Sequence, residues 1–137
     1  VWTLVEQAPH KQDHGQLVAP VGEHIKSGET EIEALIREAQ EEIGVDRLEH
    51  NHLGSAVFRR TITGRDENHM FEVFEISPSQ KIVLGEESVS MKSFSEYELR
   101  NTLLNSPASF GDGYYFVLEH FYPDYLPKRY KFRWAMR

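Results

Sequence analysis

The chain contains no cysteine among its 137 residues. That absence removes disulfide frameworks, thiolate metal sites and cysteine nucleophiles together. No apolar run approaches the ~20 residues that a membrane-spanning helix needs. Nothing at the start has the charged-then-apolar layout of a signal peptide, so a soluble cytoplasmic protein is the expectation. Positive charge is scarce: 15 Lys and Arg stand against 22 Asp and Glu, a formal net charge of −7. A phosphate backbone would be repelled, which argues against general nucleic-acid binding. Internal repeats and low-complexity stretches are also absent. The chain opens on Val1 and enters an apolar run at once, from which we expect that part of the native chain precedes it.

What is present describes a globular protein. Hydrophobic residues make up 39% and aromatic residues 12%, enough for a core in one domain spanning 1–137. The organising stretch is Gly22–Val45, GEHIKSGETEIEALIREAQEEIGV, whose second half reads as a helix. Thr30 is the N-cap, Glu33 closes a capping box and Gly44 supplies the left-handed stop. Ile32, Leu35, Ile36, Ala39 and Ile43 recur at three- and four-residue steps, which predicts one buried stripe. The opposite side carries Glu38, Glu41 and Glu42. Positions three and four apart lie about 5–6 Å apart at Cβ, so these carboxylates crowd unless a cation sits among them. A hard divalent cation such as Mg²⁺ or Mn²⁺ suits an all-oxygen cluster, although a solvated acidic face is the plainer reading of such a pattern.

The literal spacing decides between them. Glu29, seven residues, Arg37-Glu38-Ala39, one residue, Glu41-Glu42, one residue, Gly44-Val45 resembles the signature of the Nudix hydrolases. One position departs: the signature glycine six before Glu29 is Glu23 here, next to a retained Gly22. The resemblance implies an α+β fold, a Nudix-type α/β/α sandwich with a mixed β-sheet, lacking part of its N-terminal sheet segment in this chain. It implies a metal-dependent hydrolase that cleaves the pyrophosphate linkage of a nucleoside diphosphate joined to another group, or of a related diphosphate compound. By the same resemblance Glu38 and Glu42 are the principal ligands of Mg²⁺ or Mn²⁺, Glu41 is ligand or base, and the Gly22 carbonyl is an accessory ligand. Arg37 orients the cluster and Glu29 supports it. The general base is open among Glu67, Glu86 and Glu87, with Glu72 weaker, and Glu67 is also a candidate metal ligand. The alternative is a binding or regulatory module that kept the fold and lost turnover, which Glu23 favours.

The remaining chain reads as strands at 1–7, 17–19, 52–62, 69–76 and 89–94. A helix opens on a second capping box, Ser95 with Glu98, and runs to Leu104; a closing helix spans 114–121. His10, His14 and His24 have no visible partners and read as exposed or hydrogen-bonded histidines. Glu67-Asn68-His69 with Val73-Phe74, Glu87, Glu98-Leu99 and Ser106-Pro107 loosely resemble the isopentenyl-diphosphate isomerases and their relatives. Isomerase chemistry fails on residues: the catalytic cysteine position is Gly22 and the second acid is His69. The tail 128–137, KRYKFRWAMR, holds five of the 15 Lys and Arg and alternates large apolar with mostly basic residues. Its period of two predicts an extended strand that covers the domain's own sheet or pairs with a second subunit in a homodimer.

Overall fold

The computed structural model describes residues 2–11, 14–22, 27–62 and 64–127, with backbone alone at 60–62 and 67. The sequence expectations for Glu23, His24, the Glu67 side chain and the tail 128–137 lie outside the described residues.

The central helix, α1 (Glu31–Ile43), forms where its end signals place it. Thr30 accepts from the Glu33 N–H at 3.1 Å, and the Thr30 N–H donates to the Glu33 carboxylate at 2.9 Å, so two orphan donors are satisfied. At the other end Gly44 adopts φ 66°, a conformation that costs a side chain and not a glycine. Its N–H donates back to Gln40 and that of Val45 to Ala39, both at 3.2 Å.

The helix is rotated relative to the predicted stripe. Ala34, Glu38, Ala39 and Ile43 are buried, whereas Ile32 and Ile36 are exposed. At ~100° per residue, Glu38 and Glu42 fall inside the arc that runs from Ala34 to Ile43. The three glutamates therefore do not share one solvent face: Glu38 is buried, Glu42 half-buried and Glu41 exposed. Hydropathy alone cannot report this, because it scores a glutamate as solvent-seeking whatever neutralises it.

Among the described residues five strands accompany the helix. β1 (Trp2–Gln7) lies between β2 (Leu17–Val18) and β5 (Ser88–Phe94), antiparallel to both. β3 (Leu48–Ile62) and β4 (Arg65–Pro78) form a long antiparallel hairpin, each strand longer than its alternation suggests. Among the described residues the parallel contribution is the isolated Leu17–Phe110 bridge. α2 (Glu96–Asn105) and α3 (Asp112–Phe121) complete a mixed α+β architecture. One core cluster joins Leu4 and Phe94 to Leu99, Leu103, Tyr115 and Leu118 from α2 and α3. A second joins Ala39, Ile43 and Val45 to Leu48, Ile76 and Ile82, fixing α1 against the base of the hairpin. No helix among the described residues is long and apolar enough to cross a membrane.

Candidate active site

The chain between β4 and β5 is tied to the C-terminal end of α1. The Val83 N–H donates to the Ile43 carbonyl at 2.8 Å and the Gly85 N–H to the Glu42 carbonyl at 3.0 Å. These bonds satisfy carbonyls that a helix end leaves open. The approach is close enough that a Cβ on Gly85 would sit 2.7 Å from the Glu41 carbonyl oxygen. Glu87 follows two residues later and is thereby delivered to the inner face of α1, where its carboxyl group shares a hydrogen bond with that of Glu42.

Glu42 is held from the other side by the Gly22 N–H, which donates to its Oε2 at 2.9 Å. Burial is the main force on this carboxyl; the Gly22 N–H partly offsets it, and Glu87 and the charge of Glu38 add to it. The group is pushed up to about 8. Glu87 moves the opposite way. The Lys11 ammonium, 2.9 Å from its Oε1, and then the Glu42 hydrogen bond hold it below the usual carboxylate range. Two carboxyl groups whose environments push them apart can divide proton-holding and proton-accepting roles between them.

A small open cleft lies over this pair, its wall including Val5, Gln7, Lys11, Gly22, Glu42 and Glu87. Gln7 Oε1 is buried and has no hydrogen-bond partner among the described residues. An acceptor oxygen desolvated in this way calls for a donor or a cation.

Arg37 organises the neighbouring acids. Its guanidinium grips Glu29 bidentately, Nε to Oε2 at 2.6 Å and Nη2 to Oε1 at 3.0 Å. Its Nη1 bonds Glu38 and reaches Glu41 at 3.5 Å. A planar fork suits this bridging role, and the acids raise its already high pKa, the Glu29 hydrogen bond being the largest cause. Glu38, 3% exposed, is the one buried charged residue among the described residues.

The structure thus brings Glu42 and Glu87 together and sets Arg37, Glu29 and Glu38 alongside. Glu41 points outward and does not line the cleft. Glu86 is exposed; Glu72 accepts from Ser55 at 2.6 Å and lies 2.8 Å from the His52 ring nitrogen, on the hairpin. Glu67 is known here by its backbone, paired with Arg60 in the hairpin. Among the described residues no three His, Asp or Glu side chains converge to cage a metal ion. A full protein cage is not required: Mg²⁺ takes one or two carboxylates and completes its shell with water and phosphate. The all-oxygen set of Glu42 and Gln7 Oε1, with Glu38 one turn before Glu42 on α1 and Glu87 facing them from the cleft wall, fits such an ion. Lys11 and Gln7 escaped the sequence reading, since one lysine in a polar loop and one glutamine at a strand end carry no periodic signal.

Comparison with known proteins follows this geometry. The NUDIX domain family matches residues 3–110. A crystal structure of DR0079 from Deinococcus radiodurans superposes with a TM-score of 0.65 at 24% identity, over 88% of this chain and 74% of that one. A C. elegans Ap4A hydrolase in a binary complex gives a TM-score of 0.53 at 19% identity, over 77% of this chain and 73% of that one. At these identities the likeness speaks for the fold alone. No curated protein matches.

Proposed function

The chain belongs to the NUDIX domain family, and from that premise we propose that it is a Mg²⁺- or Mn²⁺-dependent pyrophosphohydrolase. Its substrate would be a nucleoside diphosphate linked to another group, or a related diphosphate compound. The observation that supports this best is the paired Glu42 and Glu87 carboxyls at the cleft, beside a buried acceptor oxygen with no partner among the described residues. When bound, the divalent ion would screen the phosphoryl charge and lower the pKa of water.

The residues divide the remaining work. Glu42 and Glu38 are the principal ligands, with Glu42 oriented by the Gly22 N–H and Glu38 by Arg37. Glu87 takes the proton of the attacking water, a role suited to an ionised carboxylate on the cleft wall beside Glu42. Glu41, from its exposed position, can serve as an outer ligand once substrate is present. Arg37 and Glu29 keep the helix acids in register. The Gly22 carbonyl and Glu67 remain as accessory ligands. A hard cation requires these groups as carboxylates, so ion binding would release the proton that Glu42 holds near neutrality.

A ligand-binding module without turnover is the second reading, favoured by the absence of a three-acid cage among the described residues. The test is incubation with nucleotides, nucleotide sugars, dinucleoside polyphosphates and prenyl diphosphates, with Mg²⁺ or Mn²⁺, and assay of released phosphate or nucleotide. Turnover of any member supports the hydrolase. Silence across the panel, with retained binding, leaves the module.

A further inference from the structure

Lys11 belongs to no part of the signature helix, yet its ammonium sits where the acidic pair needs positive charge. Its placement is built by the backbone. The Lys11 N–H closes a turn onto the Ala8 carbonyl at 3.0 Å, and the Ala8 N–H donates to the Glu87 carbonyl at 2.9 Å. The end of β1 and the Glu87 segment are thus pinned together, and the side chain needs only to bridge a few ångströms. Nζ lies 2.9 Å from Glu87 Oε1, with both side chains partly open to the cleft, 32% and 40% exposed. The same wall carries Glu42 and Gln7.

A monovalent ammonium on a flexible stem is a weak, exchangeable counter-ion for a carboxylate. A divalent ion at the same acids would repel it. Released from Glu87, the ammonium would remain tethered by its stem at the rim of the cleft and would keep its full charge. The partner of matching chemistry arriving there is the diphosphate itself. We propose that Lys11 rests on Glu87 while the acids lack a metal ion, and transfers to a phosphoryl oxygen when ion and substrate bind. Lys11 then opposes the free ion and favours the diphosphate, a double role with opposite signs. The inference rests on the metal-dependent reading of the site.

The test uses the full chain and Lys11→Met, which keeps the apolar stem and removes the charge. Calorimetric titration with Mn²⁺ alone should show Lys11→Met binding the ion about fivefold tighter, as expected for removal of one partly screened charge. Titration with imidodiphosphate in saturating Mn²⁺ should show it binding about fivefold more weakly, with Lys11→Arg close to wild type. A merely structural tether would weaken both affinities, and that outcome overturns the proposal. So does equal binding of both probes by wild type and Lys11→Met. If wild type itself binds no Mn²⁺, the metal-dependent function fails and this inference fails with it.

Discussion

Two helices in this protein begin with the same chemistry and end as different objects. α1 and α2 both open on capping boxes, Thr30 with Glu33 and Ser95 with Glu98, and the bond lengths are the same: 3.1 Å to the hydroxyl and 2.9 Å to the carboxylate. On its buried face α2 carries Leu99 and Leu103. Its charged residues stay outside, where Arg100 pairs with Glu96 at 2.9 Å. α1 instead buries Glu38 beside Ala39 and half-buries Glu42. Both helices satisfy their ends by local rules, so the difference lies in the inner faces. α2 is an ordinary packing element. α1 carries desolvated carboxyls whose stability cost must be offset by Arg37, by hydrogen bonds and, in the proposed function, by a metal ion.

The sharpest way to break this contrast is Glu42→Gln. If α1 is the working helix, turnover falls at least about 100-fold while the fold is kept. The sign of its effect on stability is also set. The folded protein holds the Glu42 proton up to about 8, against 4.5 ordinarily, so it binds more protons than the unfolded chain across that window. Stability of the metal-free protein should therefore decline as pH rises from about 4.5 to about 8, and Glu42→Gln should flatten this decline. Thermal melts in chelator across that range check it. A decline of the same slope in the mutant would show that another group controls it.

Glu87 and Glu86 are neighbours in sequence, and the structure separates them. Glu87→Gln should lower kcat by about 100-fold, and Glu86→Gln by less than about twofold. Equal effects would return the base to the open set that also contains Glu67.

A smaller effect tests how Glu87 is delivered. Gly85→Ala places a Cβ against the α1 backbone, so the loop must shift, with a stability loss of about 1–3 kcal/mol. Activity should fall with it, because Glu87 moves away from Glu42. Unchanged activity in a destabilised variant would mean that the loop clamp does not position the base.

Smallest are the caps. Thr30→Ala and Ser95→Ala should each cost about 1 kcal/mol in denaturant melts, since the two boxes are the same device. An activity loss beyond the stability loss is expected for neither. If Thr30→Ala alone impairs turnover, the start of α1 also belongs to the site.

The features legible in the sequence were those made by neighbours along the chain. Thr30, Glu33 and Gly44 satisfy backbone groups within their own turn, and the same holds for Ser95 and Glu98, so short spacing suffices to read them. The Arg37, Glu38, Glu41 and Glu42 spacing resembled the Nudix signature, and the family match over residues 3–110 agrees with it. Tertiary structure decided which side of α1 faces inward. Ile32 and Ile36 looked buried and are exposed although they lie on the same side as Ala39 and Ile43, because the core that receives α1 meets its last turns at Ala39 and Ile43; Glu38 and Glu42 share the inward arc. It also decided which distant acid meets Glu42. Glu86 and Glu87 differ only by the direction a loop takes after Gly85, and that direction follows from two hydrogen bonds to carbonyls of α1. Lys11 reaches Glu87 across 76 positions of sequence. Local spacing is a property of the chain; a contact of that separation exists only once folding has brought its two ends together.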